Sequence, residues 1–402
     1  MVRAKSHVPT ITKKFYPFVS VCTPTFNRRP FFPTAFECFK NQDYPKDRME
    51  WIIVDDGTDR IKDLVAASGI TQIKYFELPN KVSLGEKRNI MHSKAKGSII
   101  VYMDDDDYYP PDRVSHAVER LMENREALCA GSSEIYIYFK GIPNSNGSLG
   151  KMVQFGPYGP NHATAGTFAF KAELLKQTRY DDKAAVAEER AFLKDYTIPF
   201  VQLDPMKTIL CFSHEHNTFD KRKLLQNPHP DFVKDSTKKV EDFIKLPKEA
   251  NIKKFFMEDV DKLLENYAPG EPKMKPDVLK QIAEIEANRD KMIREEMAKQ
   301  GANAQIMLNQ PGKPPVPLTS EQIIDILTRQ GQQIQQYEQR IRELESIISI
   351  MQGSNSQGTP FVPLQNAVPM QNAVHMQNAV PMQNAVTSSK SEPAFKLDPA
   401  FF

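Results

Sequence analysis

The chain has 402 residues, with 53 lysines and arginines against 51 aspartates and glutamates, a formal net charge of +2. That balance argues against a protein that coats nucleic acid, which would show a basic excess or block. With 40% hydrophobic and 26% charged residues, no run nears the roughly 18 apolar residues of a spanning helix, and no apolar signal region opens the chain.

The expected partners therefore include no nucleic acid, the chain is expected to have no transmembrane segment, and its expected location is cytoplasmic. Cys22, Cys38, Cys129 and Cys211 lie far apart without a CxxC pair. Neither a disulfide framework nor a zinc knuckle is expected.

From about residue 15 to 225, short β-branched or aromatic runs alternate with helical stretches, which is the pattern of an α/β domain. The predicted strands are Phe18–Cys22, Trp51–Val54, Ile73–Phe76 and Ser98–Met103, followed by Ile135–Phe139, Thr167–Phe170 and Ile209–Phe212. One helix is bracketed by its ends: Ser83 and Glu86 spell a capping box, and Gly97 stands where a C-terminal glycine belongs. Residues 141–150 read as a hairpin loop and 156–162 as a mobile lip beside a site.

From 226 to 310 the pattern turns helical and charged, broken at Pro247 and at Pro269-Gly270. Residues 311–318 form a proline linker. Over 319–352, Ile323, Leu327, Gln330, Ile334, Tyr337, Ile341, Leu344, Ile348 and Met351 alternate at spacings of four and three behind a second capping box, Thr319 with Gln322. Ile at a positions with Leu344 at d favours a parallel two-stranded coil; a helix folded back on its own domain would show the same stripe. The sequence predicts a homodimer through 320–352. In 353–402, Gln-Asn-Ala-Val recurs four times at a period of six, read as a disordered tether. The last ten residues either dock on a partner or are inert.

The chemistry gathers at strand ends. In an open α/β sheet, ligands bind beyond the carboxyl ends of parallel strands, where strand order reverses. Phe18–Cys22 runs into Thr23-Pro-Thr-Phe-Asn-Arg28, Trp51–Val54 into Asp55-Asp-Gly-Thr58, and Ser98–Met103 into Asp104-Asp-Asp-Asp107. Lys87, Arg88 and Asn89 sit in the first turns of the capped helix, where basic groups and the helix dipole suit a phosphate. Neighbouring carboxylates at ~5 Å repel by about 1 kcal/mol per pair even in water, and more in a cleft. A divalent cation would relieve that repulsion, and hard oxygen donors select Mg²⁺ or Mn²⁺. An exposed acidic turn would carry the same run, but its place directly after an apolar strand favours the ligand-binding reading. EF-hand, P-loop, HExxH and GxSxG patterns are all absent.

Taken in order, Pro24-Thr-Phe-Asn-Arg28, Val54-Asp-Asp-Gly-Thr58, Gly85-Glu-Lys-Arg-Asn89 and Gly97-Ser-Ile-Ile-Val-Tyr-Met-Asp-Asp-Asp-Asp107 resemble the family-2 glycosyltransferases of the GT-A nucleotide-diphospho-sugar fold. Downstream, Gly166-Thr-Phe-Ala-Phe-Lys171, Ala187-Glu-Glu-Arg-Ala-Phe-Leu193 and His214-Glu-His-Asn-Thr218 are similar to that family too. The resemblance covers residues 15–225. It implies a metal-dependent inverting transferase, with Pro24, Thr25, Asp55, Asp56, Arg88, Asp104 and Asp105 on the nucleotide-sugar. Asp106 with Asp104 and His214 would hold Mn²⁺ or Mg²⁺. Glu188-Glu189 stands where the family has Glu-Asp, which makes Glu189 the catalytic base with Glu188 beside it. Read without the resemblance, the same pair is an acidic helix start.

The implied donor is a UDP- or GDP-sugar, and the acceptor is a glycan, protein or lipid hydroxyl. Two other classes fit the same residues. One is a catalytically inactive transferase-like scaffold acting through its coil and tail, motivated by glutamate in place of the family's aspartate. The other is a nucleotidyltransferase. Tyr108 and Tyr109 either stack on a sugar or belong to the core.

Overall fold

In the computed structural model, residues 15–144, 146–186, 189–226, 228–301, 307–308 and 316–353 are described. The first half forms a seven-stranded mixed sheet. Its opening strands are β1 (Val19–Thr25), β2 (Met49–Asp55), β3 (Ile73–Glu77) and β4 (Ile99–Tyr102), and three short strands complete it: β5 (Cys129–Gly131), β8 (Ala169–Lys171) and β9 (Phe200–Gln202). The spatial order is β3-β2-β1-β4-β8-β5-β9. β1 pairs in parallel with both β2 and β4, while β8 runs antiparallel to β4. Strand order therefore reverses between β1 and β4, which opens a crevice at their carboxyl ends.

Alternation along these strands separates two apolar layers, as a period of two requires. Val19, Val21, Trp51, Ile53, Ile99 and Val101 face one side, with α1 (Phe32–Asn41) and α4 (Arg113–Glu123). Cys22, Ile52, Val54, Ile100 and Tyr102 face the other, with Met91 of α3 (Leu84–Lys94) and Phe192 of α5 (Glu189–Phe192). Both faces of the central strands are covered, so they read as continuous apolar runs. The short helix α2 (Lys62–Ala67) connects β2 to β3.

A second sheet, in the order β10-β6-β7-β11, packs into the first layer. Its strands are β6 (Ile135–Pro143), β7 (Leu149–Phe155), β10 (Leu210–Ser213) and β11 (Val233–Asp235). The β6–β7 hairpin turns between Asn144 and Ser148, inside the expected loop. The expected strand Thr167–Phe170 instead opens as a 3-10 turn, Ala165–Thr167, before β8. Residues 156–162 are pinned: the Gln202 side-chain amide donates to the carbonyls of Gly159, Pro160 and His162.

The helical stretch after residue 225 is no loose trailer. Phe243, Ile252, Phe255, Phe256, Val260 and Leu264 join the same apolar layer as β6 and β10, carried partly on α6 (Ala250–Lys254) and α7 (Val260–Glu265). The described residues through Asn288 form one compact unit, which includes the start of α8 (Pro276–Gly301). In the second unit, Val316–Pro317 of the expected linker pairs with Met307–Leu308. There α9 (Ser320–Gly353) runs unbroken over the heptads, and Thr319 and Gln322 complete their reciprocal cap. The Gln-Asn-Ala-Val repeats and the C-terminal aromatic residues lie outside the described residues.

α3 begins at the expected cap, with the Ser83 hydroxyl accepting from Glu86 N at 3.0 Å, one half of the expected capping box. Gly97 differs from expectation: the helix closes at Ala95. Gly97 lies against β1, where a Cβ would come within 2.4 Å of Ser20 N. Packing, not a left-handed cap, requires glycine there.

Candidate active site

β1 ends at Thr25, and the chain then turns through Phe26 and Asn27, the latter at φ 52°. Asparagine tolerates that left-handed geometry through local hydrogen bonding. Its side-chain oxygen accepts from Thr58 N at 2.7 Å and Asp59 N at 2.9 Å. The turn sends Arg28, 3% exposed, into the crevice. There its guanidinium lies 3.4 Å from Asp106 and 3.8 Å from Asp105. Thr25, Arg28, Arg88, Asp104, Asp105 and Asp106 line one cavity of about 170 Å³, with Pro24, Lys81, Lys87, Thr218 and Lys275 also in its wall. Carboxylates and basic groups thus face a single hollow at the reversal of strand order.

Arg88 is buried between aromatic rings, 4.9 Å from the centre of Tyr102 and 5.2 Å from that of Tyr180. Stacking of this kind orients a guanidinium, and Arg88 Nη1 also donates to the Tyr180 hydroxyl at 3.4 Å. The Asp104 backbone N–H donates to the Tyr109 hydroxyl at 2.8 Å, and that hydroxyl donates to Gly166 O at 3.1 Å. Tyr109 is therefore a positioning residue, and with Tyr108 it lies in the core, 1% and 0% exposed. Gly166 has a matching role. A Cβ there would come within 2.8 Å of Asp104 Oδ2, so only glycine lets that carboxylate settle.

The acidic run is electrostatically uneven. Burial opposes charge on Asp106, yet the adjoining His214 and the charge of Arg28 outweigh it and hold Asp106 well below the usual carboxylate range. Asp105 is pushed up to about 7 by burial and then by the Asp106 charge, against the pull of Arg28. Asp107 is pushed up to about 7 by burial, partly offset by Lys221. His214 Nε2 lies 3.5 Å from Asp106. Burial pushes its imidazole down to about 4, which leaves it neutral near pH 7, the form that binds metals.

A second cavity of about 230 Å³ shares Asp104, Asp106 and Thr218 with the first and is also lined by Thr164, Gly166 and Lys221. Glu189, at the start of α5, is tied to this wall: its carboxylate accepts from Ala165 N at 3.2 Å. Glu188 lies outside the described residues.

Two expected binding residues are turned elsewhere. Asp55 is spent on its own turn, accepting from Gly57 N at 2.9 Å, Ile61 N at 3.2 Å and the Tyr75 hydroxyl at 2.7 Å. Asp56 forms a buried ion pair with Lys87 and accepts from Val82 N at 2.8 Å. Lys87 in turn donates to Thr25 O at 2.8 Å, which ties α3 to the tip of β1. Both aspartates brace the cavity without lining it.

The donor set suits a divalent cation of the hard type. Asp104 and Asp106 face the same hollow and a neutral imidazole adjoins one of them, while among the described residues no three His, Cys, Asp or Glu side chains form a cage. A cation that completes its shell with substrate oxygens and water fits such a partial set.

Lys275 was not expected from the sequence. Burial and the nearby charge of Arg28 push its ammonium down to about 7.

Comparison with known proteins places these residues in a family. Residues 20–177 match the model of glycosyl transferase family 2. Poly(ribitol-phosphate) β-N-acetylglucosaminyltransferase TarS of Staphylococcus aureus is 27% identical over 126 residues, 31% of this chain and 21% of TarS. The putative teichuronic acid biosynthesis glycosyltransferase TuaG of Bacillus subtilis is 29% identical over 110 residues, 27% of this chain and 43% of TuaG. The crystal structure of TarS residues 1–349 with UDP-GlcNAc superposes with a TM-score of 0.37 at 19% identity, covering 49% of this chain and 59% of that one. The matched stretch spans about a fifth of TarS and under half of TuaG. Across residues 20–177 the chain carries a family 2 glycosyltransferase domain, built on the GT-A fold.

Proposed function

We propose that the protein transfers a sugar from a nucleotide-diphospho-sugar, a UDP- or GDP-sugar, to an acceptor hydroxyl with inversion at the anomeric carbon. The observation that carries this reading is the pair of adjoining cavities that share Asp104 and Asp106, one rich in basic groups and the other tied to Glu189.

The donor diphosphate occupies the first cavity, where Thr25 and Arg88 bind it and Arg28 offsets its charge. The acceptor enters the second. Glu189 takes the proton of the acceptor hydroxyl as its oxygen bonds to the anomeric carbon. The bond to the diphosphate breaks on the opposite face, so configuration inverts. Asp104 and Asp106, with His214 beside Asp106, are the partial set that would hold Mg²⁺ or Mn²⁺ together with substrate oxygens and water, and the cation when bound would supply Lewis-acid stabilisation of the departing diphosphate. Preorganised charge of this kind is worth far more in a desolvated cleft than in water.

α9 supports a further part of the reading. Ile334, Tyr337, Ile341 and Leu344 are 57%, 60%, 54% and 44% exposed along the heptad seam, and a second copy of the helix would bury them.

The test is release of nucleoside diphosphate from UDP- and GDP-sugars by the purified chain with Mn²⁺, read by chromatography. Turnover of one donor supports the transferase. No turnover of any donor favours the scaffold, and pyrophosphate release from a nucleoside triphosphate favours a nucleotidyltransferase.

A further inference from the structure

We propose that Lys275 contacts the donor diphosphate, delivered by a strap, residues 267–282, that lies beyond the family-matched segment and forms the far wall of the donor cavity. The proposal rests on the nucleotide-sugar reading above.

The strap is fastened to both rims. The Tyr267 hydroxyl donates to Asp59 at 2.8 Å, and the Asn27 side-chain amide donates to Pro269 O at 2.8 Å. Lys81 reaches Asp277 at 2.6 Å. Gln281 accepts from Ala185 N at 2.8 Å and donates to Lys183 O at 2.6 Å, while Val278 and Ile282 pack on Ala185. One rim belongs to the loops after β1, β2 and β3, the other to the segment that leads towards α5. So many anchors mark a built wall.

The charges in that wall are unevenly partnered. Lys87 is paired with Asp56, Lys81 with Asp277, and Arg28 lies beside Asp105 and Asp106. Lys275 donates to the neutral Thr218 hydroxyl at 2.9 Å, and no ion pair within 4 Å engages it among the described residues. Among the described residues, Arg28 Nη1 is buried without a hydrogen-bond partner in the same cavity. The Lys275 ammonium is half-buried, with the Phe26 ring 6.0 Å away as its other neighbour, so among the described residues its charge has no anion to meet within the wall. Two oxyanions placed between Lys275 and Arg28 would satisfy both, and a diphosphate supplies them.

The experiment is calorimetric titration of the full chain with UDP, GDP, uridine, guanosine and inorganic pyrophosphate in Mn²⁺, for wild type, K275M, K275R and T218V. Methionine keeps the length and apolar stem of lysine. K275M is expected to weaken the diphosphates at least tenfold, leave uridine and guanosine unchanged, and melt at the wild-type temperature or above. K275R is expected to recover most of the affinity, and T218V to lose a factor of a few.

If wild type binds the diphosphates and K275M binds them equally well, Lys275 has no such role while the transferase reading stands. If wild type binds neither UDP nor GDP, both fall. A lowered melting temperature for K275M marks Lys275 as structural and overturns the assignment.

Discussion

Replacing Gly166 with alanine tests how closely Asp104 is positioned. The added methyl would stand 2.8 Å from Asp104 Oδ2, about half an ångström inside ordinary contact, while its next neighbours, Ile209 Cδ1 at 3.5 Å and the Tyr109 hydroxyl at 3.6 Å, have room. Backbone strain is not the issue, because Gly166 has no positive φ. The carboxylate is the movable partner, so the fold loses at most about 1–2 kcal/mol, whereas misplacing a catalytic group by ~1 Å costs about a hundredfold in rate. A shift of half that size predicts roughly a tenfold fall in nucleoside diphosphate release, with the unfolding midpoint in urea nearly unchanged. Wild-type turnover in a fully folded G166A protein would refute the claim that Asp104 works from this position. Unfolding of the variant would move the role of Gly166 from the site to the core.

Other substitutions probe separate links. Glu189→Gln keeps the acceptor oxygen that meets Ala165 N but removes the base; transfer is expected to fall by roughly 10²–10⁴ with donor affinity unchanged by titration, and retained transfer places the base elsewhere. His92 is buried against Tyr102, 2.6 Å from its hydroxyl, and burial, with Arg88, pushes it down to about 3. The unfolded chain binds that proton from about pH 6.5 downward and the folded chain does not. Stability is therefore fully present above pH 6.5 and falls as the pH drops towards 3, by up to about 1.4 kcal/mol per pH unit from this group. His92→Gln should flatten the slope of unfolding free energy between pH 6 and 5, and an unchanged slope contradicts the assignment. The double variant Ile334→Asp, Ile341→Asp should convert a dimer to a monomer by light scattering with turnover retained; a persisting dimer refutes the heptad reading.

The legibility of the site follows from chain distance and residue type. β1, β2, β3 and β4 are seven, seven, five and four residues long, long or apolar enough to announce themselves, and polar groups at their tips converge because parallel strands end on one side. β5, β8, β9 and β11 have three residues each, too few to show a period of two. The expected binding set divided for a similar reason. Asp104, Asp105 and Asp106 face the cavity, but Asp55 and Asp56, also aspartates placed at a strand end, are consumed by a turn and an ion pair. Residue type alone does not reveal which carboxylate finds an internal partner. Arg28 stood within a quoted motif without an assigned part. Lys275 lies nearly a hundred residues beyond the end of the family match at residue 177, and only the packed strap brings it back to the donor cavity.

The most direct measurement is calorimetric titration of UDP and GDP, with and without Mn²⁺, into wild type and Asp106→Ala. The account predicts that wild type binds at least one of them more tightly with the cation, and that the variant, still folded, loses at least tenfold in affinity together with the effect of Mn²⁺. Equal affinity and equal Mn²⁺ dependence in both proteins would contradict a donor site at the tips of β1 and β4.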